Sequence, residues 1–150
     1  MSLEQDIMGE IKDAMKAKNE AALRGLRAIK AAIILAKTEA GANGQISAEG
    51  ELKLLQKLVK QRKDSLEIFV QQNRQDLATK ESEEIAIIEK FLPKQLDPEA
   101  LKTALTKIIS ETGASSAADM GKVMAAATRE LAGQADGKTI SAMVRELLSR

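Results

Sequence analysis

Leu3, Ile7, Ile11 and Met15 stand four residues apart, which puts them on one face of a helix, and the polar stretch Lys16-Ala17-Lys18-Asn19 closes that helix. A second helix is predicted over about residues 20–40. Between Ala31 and Ala36 it is apolar nearly all round, which predicts a place in the middle of its unit, and Gly41-Ala42-Asn43-Gly44 ends it. Ser47 then caps a long third helix, with Glu49 in the first turn where a negative charge meets the positive end of the helix dipole. Its buried stripe reads Leu52, Leu55, Val59, Leu66 and Phe69. A fourth helix, about residues 75–92, offers Leu77, Ile85, Ile88 and Leu92.

Pro93 and Pro98 bracket the segment Lys94-Gln95-Leu96-Asp97 and mark a boundary. Proline lacks an N–H and disfavours the helical state of the residue before it, so Pro93 stops the fourth helix; Asp97 caps the next one, with Pro98 at its first position. Two units follow, residues 1–93 and 97–150. In the second, Leu101, Leu105 and Ile108 form a stripe that ends at Gly113. Ser116 and Asp119, three apart, resemble a capping box ahead of Met120, Val123 and Met124. Gly133 ends that helix. Asp136 caps the last, whose stripe is Ile140, Met143 or Val144, and Leu147. The expected fold class is therefore all-α, a four-helix unit followed by a smaller three-helix domain.

Composition agrees with this reading and removes whole classes of function. The apolar residues are mostly Ala, Leu and Ile, with four Val, two Phe and no Trp or Tyr, whereas strands favour β-branched and aromatic side chains. With no Cys and no His there is no thiolate nucleophile, no imidazole acid or base, no disulfide framework and none of the usual zinc sets, so neither metal nor cofactor is expected. The apolar run Ala31–Ala36 is far short of the roughly 20 residues that cross a bilayer, and the start Met1-Ser2-Leu3-Glu4-Gln5-Asp6 lacks the basic and apolar parts of a leader. No membrane association and a cytoplasmic location are expected.

One charge interrupts an apolar seam. Steps of three and four from Leu52 along the third helix pass through Arg62, and the same exercise on the fourth meets Glu81, Glu84 or Ile85, and Ile88. If the two helices run antiparallel, Arg62 pairs with Glu81 or Glu84 as a structural ion pair that sets their register. An anion pocket at Arg62 is the alternative. Two short basic stripes, Arg24, Arg27 and Lys30 and then Lys53, Lys57 and Lys60, could follow phosphates, but with 15 basic and 15 acidic residues in the first unit they read first as solvated faces.

The second unit, with eight basic and seven acidic residues from Lys94 on, has no bulk attraction for nucleic acid. Its local placement is more telling. Gly121-Lys122 and Gly137-Lys138 each stand early in a helix, where backbone N–H groups and a lysine can hold a phosphate or carboxylate; the alternative is a glycine hinge with a cap. With two Phe in the chain, both at core positions, stacking on bases is not available. Any RNA contact must work by shape and phosphate charge, and so be salt-sensitive and poor in sequence specificity.

Four motifs resemble those of the GatB/YqeY family, in the same order: Lys60-Gln61-Arg62-Lys63-Asp64-Ser65, Phe91-Leu92-Pro93-Lys94-Gln95-Leu96, Asp119-Met120-Gly121-Lys122-Val123-Met124 and Ala135-Asp136-Gly137-Lys138. The resemblance covers essentially the whole chain and is to the freestanding YqeY-like members. It implies an all-helical protein whose last third is similar to the tail of the GatB component of the aspartyl/glutamyl-tRNA amidotransferase, a part that helps to hold tRNA and carries no chemistry. By that resemblance the RNA-contacting positions are Gly121, Lys122, Asp136, Gly137 and Lys138, with Arg129 and Arg145 widening the surface. Gln134 stands where relatives often have a basic residue. The expected function is a noncatalytic accessory protein for tRNA or a tRNA-processing enzyme, with the N-terminal helices free to take a protein partner. A helical protein-interaction adaptor without an RNA role is the alternative. A carbon–nitrogen ligase using glutamine as amido donor comes last, since the activating and transferring portions of the amidotransferase have no counterpart here.

Overall fold

The computed structural model describes residues 2–39 and 44–149, and among them it contains α-helices, one 3₁₀ turn and no strand. The helices are α1 (Leu3–Lys16), α2 (Glu20–Glu39), α3 (Ala48–Gln71), α4 (Gln75–Glu89), α5 (Pro98–Thr112), α6 (Met120–Glu130) and α7 (Gly137–Leu148), with the 3₁₀ turn Ala117–Asp119 leading into α6. Contacts divide the chain into Met1–Leu92 and Pro93–Arg150, each with its own buried cluster.

Local chemistry explains where the helices begin. Ser2 and Gln5 form a capping box on α1, Gln5 N–H donating to Ser2 Oγ at 3.3 Å and Ser2 N–H to Gln5 Oε1 at 3.2 Å. Asn19 Oδ1 accepts from Ala22 N–H at 3.1 Å and starts α2, with Lys18 in the left-handed region at φ 55° making the corner. Ser47 Oγ accepts from Gly50 N–H at 3.0 Å and starts α3. Asp97 Oδ1 accepts from Ala100 N–H at 2.7 Å, with Pro98 at the first helical position of α5. Gly113, at φ 71°, closes that helix in the left-handed conformation a side chain would disfavour.

The first core gathers Ile7, Leu23, Leu26, Ile29, Ile33, Leu55, Val59, Ile85, Ile88 and Leu92. α2 packs against α1, α3 and α4, and α4 packs most extensively on α3 across a three-residue turn in which Asn73 takes φ 58°. Two stripe positions come out differently. Met15 is 57% exposed, and Ala14 takes its place in the core: α1 turns 400° over four residues, so the fourth member of the stripe has drifted off the contact face. In α2 the stretch that is apolar nearly all round is covered on one side only, leaving Ile34 51% and Leu35 58% exposed. The predicted helix end at Gly41-Ala42-Asn43 lies outside the described residues.

In the second unit Leu101, Leu105, Ile108, Val123, Ala127, Ile140, Val144 and Leu148 form the core, with Met143 and Leu147 packed beside it. The last buried position of α7 is thus Leu148 rather than Leu147. The segment between the prolines belongs here and is not a free connector. Leu96 N–H donates to Gln134 O at 3.0 Å, and Gln95 Nε2 donates to Gly133 O at 2.6 Å and to Pro93 O at 2.8 Å. Gly133, buried and at φ 77°, supplies the tight corner that lets its carbonyl be reached.

Candidate functional site

Arg62 lies on the α3 face that meets α4, its Nε 3.8 Å from Glu84 Oε1, with both side chains 17% exposed. At that distance the contact is electrostatic only. Arg62 Nη1 instead donates to Leu58 O at 3.1 Å, and the buried Nε has no hydrogen-bond partner. One turn before Glu84 on α4, Glu81 has its carboxyl pushed above the ordinary range, first by burial and then by the Glu84 charge, against the opposing pull of Arg62. A raised folded-state pKa means that the folded protein holds this proton more tightly than the unfolded chain. The associated stability is present at low pH and is lost as pH rises through the folded pKa. Glu81→Gln is therefore expected to raise the melting temperature at neutral pH, on the order of 2 °C, with the gain vanishing below about pH 4. A gain that persists there would assign it to helix propensity instead. Further ion pairs join α2 to α4, Arg24 with Glu83 at 2.5 Å, and α3 to α4, Lys63 with Glu89 at 3.6 Å, while Lys60 with Asp64 at 3.0 Å and Lys53 with Glu49 at 2.9 Å are pairs within α3.

In the second unit two aspartates are engaged at helix starts. Asp136 Oδ1 accepts from Thr139 N–H at 2.7 Å and Oδ2 from the Thr139 hydroxyl at 2.9 Å, so this aspartate is the cap of α7. Asp119 Oδ2 accepts from the N–H groups of Ser115 and Ser116 at 3.0 and 3.3 Å. Those bonds hold its carboxyl below the usual range, and the Lys122 charge lowers it further. Met120 N–H donates to Ala117 O, so the 3₁₀ turn runs straight into α6 and Gly121 and Lys122 lie inside a continuous helical run. The Ser116–Asp119 pair thus caps the short turn, and α6 offers no bare N-terminus to an anion. An anion here has to be held by side chains.

Lys122, Arg129, Lys138 and Arg145 are all exposed, and among the described residues none of the four is within 4 Å of a carboxylate. Gly121 and Gly137 are exposed too, with open space where a Cβ would stand. α6 and α7 pack on each other, which brings the two Gly-Lys motifs into one three-helix unit.

Comparison with known proteins decides the family. The family model described as Yqey-like protein matches residues 4–148. The chain belongs to the Yqey-like family. Similar proteins include three fungal ones, each called "Altered inheritance of mitochondria protein 41, mitochondrial". That of Clavispora lusitaniae is 39% identical over 111 residues, 72% of this chain and 63% of its own length. That of Pyrenophora tritici-repentis is 31% identical over 151 residues, 95% of this chain and 78% of its own length. That of Saccharomyces cerevisiae is 36% identical over 87 residues, 57% of this chain and 46% of its own length. The chain therefore spans less than two thirds of the first of these relatives. On the Yqey-like fold, the motif Lys60–Ser65 lies on α3 around the Arg62 contact. The motif Phe91–Leu96 spans the join between the units, and the two Gly-Lys motifs open α6 and α7.

Among the described residues no helix is long and apolar enough to cross a membrane, and no three Asp or Glu side chains converge as a metal site requires. A hollow of about 320 Å³ at one end of the first unit is bordered by Glu10, Asp13, Lys90 and Phe91. A second, of about 260 Å³, lies between α2 and α3 over Leu35, Leu54 and Leu58. The exposed apolar side chains Ile34, Leu35, Ile68 and Val70 are the feature sequence reasoning missed. Ile34 and Leu35 belong to a run that is apolar nearly all round, so only the packed neighbours reveal which of its faces stays in water; Ile68 and Val70 flank Phe69 and lie off the stripe that passes through it.

Proposed function

We propose that this Yqey-like chain is a noncatalytic RNA-binding accessory protein that meets the sugar-phosphate backbone of tRNA through its second unit. The carrying observation is the set of exposed cations on α6 and α7 without ion-pair partners among the described residues, in a unit where Asp97, Asp119 and Asp136 are taken up as helix caps. Lys122 and Lys138 are the principal phosphate contacts, Arg129 and Arg145 extend them, and Gly121 and Gly137 keep the approach clear. Asp136 acts as the cap that orients α7. The resemblance to the amidotransferase tail supports this reading, as does the want of Cys and His for chemistry of the chain's own. A tRNA-processing enzyme is the natural companion, and cytoplasmic placement is part of the proposal, although the fungal relatives carry mitochondrial names.

Without Trp or Tyr the protein hardly absorbs at 280 nm, so a preparation with a clear 260 nm peak has carried nucleic acid with it. Titration of tRNA at two salt concentrations should show affinity falling steeply with salt. The double variant Lys122→Ala, Lys138→Ala should weaken binding and lower the slope of log K against log salt by about 1 per lysine, with helicity unchanged. Unchanged affinity would remove these residues from the interface.

A second reading rests on the exposed Ile34 and Leu35: a helical adaptor that takes a protein partner on the first unit. Recovery of a stoichiometric partner after nuclease treatment, with no titratable tRNA binding, would put it first.

A further inference from the structure

α6 and α7 carry the same arrangement of residues. On α6, Gly121 and Lys122 are followed by Ala125 and Ala126 and then by Arg129. On α7, Gly137 and Lys138 are followed by Ser141 and Ala142 and then by Arg145. In both, glycine precedes lysine, two small residues follow three and four positions on, and arginine comes seven positions after the lysine. Seven residues are two helical turns, so each helix presents two cations on one face about 10.5 Å apart along its axis, with small side chains between them. All four cations are exposed and lie more than 4 Å from any described carboxylate. Neither glycine has a positive φ, and neither is crowded where a Cβ would be, so nothing in the packing requires them. In a helical run glycine costs stability relative to alanine. The two Phe of the chain are Phe69 and Phe91, so residues 93–150 contain no aromatic side chain on which a base could stack.

Resting on the RNA-binding reading above, we infer that the second unit holds two equivalent backbone clamps, one on α6 and one on α7, and that its ligand is duplex RNA rather than a single strand. Each clamp is a pair of cations whose attachment points are fixed two helical turns apart. A duplex offers phosphates already held in rows that such pairs meet without further ordering. A flexible strand has to be ordered first, and this unit has no stacking platform to offset that cost. The bare backbone at Gly121 and Gly137 leaves room for close approach at the lysine end of each clamp.

The test uses the full chain and two labelled RNAs of equal length, one a hairpin and one of unstructured sequence, titrated across a salt series. The hairpin is expected to bind at least about tenfold more tightly. Two paired variants, Lys122→Ala with Arg129→Ala and Lys138→Ala with Arg145→Ala, are each expected to lower the salt slope by about 1.5 to 2, since each removes two phosphate contacts. Gly121→Ala should raise the melting temperature yet weaken hairpin binding, a combination a merely structural glycine would not give. Equal binding of the two RNAs overturns the duplex assignment. An effect confined to one paired variant overturns the two-clamp assignment. Absence of binding to either RNA overturns the RNA-binding reading itself, and is thereby told apart from failure of the clamps.

Discussion

Leu105→Ala is expected to unfold the second unit and leave the helices of the first in place. Leu105 is 0% exposed at the middle of α5 and belongs to the cluster with Val123, Ala127, Ile140 and Val144. Truncating a leucine so enclosed costs about 2–5 kcal/mol, the transfer term plus the cavity left behind. The unit Pro93–Arg150 has 58 residues. At roughly 0.05–0.15 kcal/mol per residue its whole stability is about 3–9 kcal/mol, so the loss is comparable with the total. Urea titration followed by far-UV circular dichroism should lose the share of α5–α7 at low denaturant and keep a later transition for α1–α4. Since Lys122, Arg129, Lys138 and Arg145 all stand on this unit, the RNA binding proposed above should be lost with it. A single transition carrying the whole helical signal would contradict separate cores. Met15→Ala is the control: the periodicity of α1 makes Met15 a core residue, but it is 57% exposed, so the change should cost less than about 0.5 kcal/mol.

The second large effect has the opposite sign from the one helix propensity suggests. Gly25 sits in the interior of α2, and alanine there would favour the isolated helix by about 1 kcal/mol. In the folded unit a Cβ on residue 25 would come 2.9 Å from both Cβ and Cγ2 of Ile87, with Glu84 O at 3.5 Å. Cβ of Ile87 is anchored to the backbone of α4, so no rotamer change relieves the contact and the two helices have to separate. Overpacking of this kind costs about 1–3 kcal/mol, and Gly25→Ala is expected to be a net destabilisation. Thermal melting settles the sign. Ile87→Ala in the same chain should restore only part of the loss, because Cβ remains. Full wild-type stability for Gly25→Ala alone would mean that α2 and α4 are not held at this distance.

Much of this fold is legible in the sequence because its determinants are local. Ser47, Asp97 and Asp136 cap α3, α5 and α7 as their positions ahead of the helices predict, and Pro98 and Gly113 bound α5. Helix caps and prolines act within one turn of chain, so their effect needs no knowledge of the rest of the molecule. The all-α class follows in the same way from composition. The candidate RNA-contacting cations were legible as residue types and spacings, but that none of the four has a described carboxylate within 4 Å was not. Lys63 looks much like Lys122 in sequence, and only packing supplies Glu89 beside it, whereas the Lys60–Asp64 pair is four residues apart on one helix.

The tertiary structure decides whatever depends on the width and coverage of a contact. A period of 3.6 residues assigns a side chain an angle around the helix, not a neighbour at that angle; hence Ala14 is covered and Met15 is not, and Ile33 is buried while Ile34 and Leu35 remain in water. The α3–α4 seam allowed Arg62 either Glu81 or Glu84. The pairing with Glu84, and the raised pKa it helps impose on Glu81, come from the register of two helices joined by a short turn. Lys94-Gln95-Leu96 reads as a connector because prolines flank it, yet Gln95 and Leu96 hydrogen-bond to the corner after α6. By itself, then, the sequence determined which segments are helical, where they start and which family the chain resembles, because these follow from interactions between residues a few positions apart. Which faces are covered, which charges are matched and where the backbone is too close for a methyl group were decided only by the packing of helices distant in sequence.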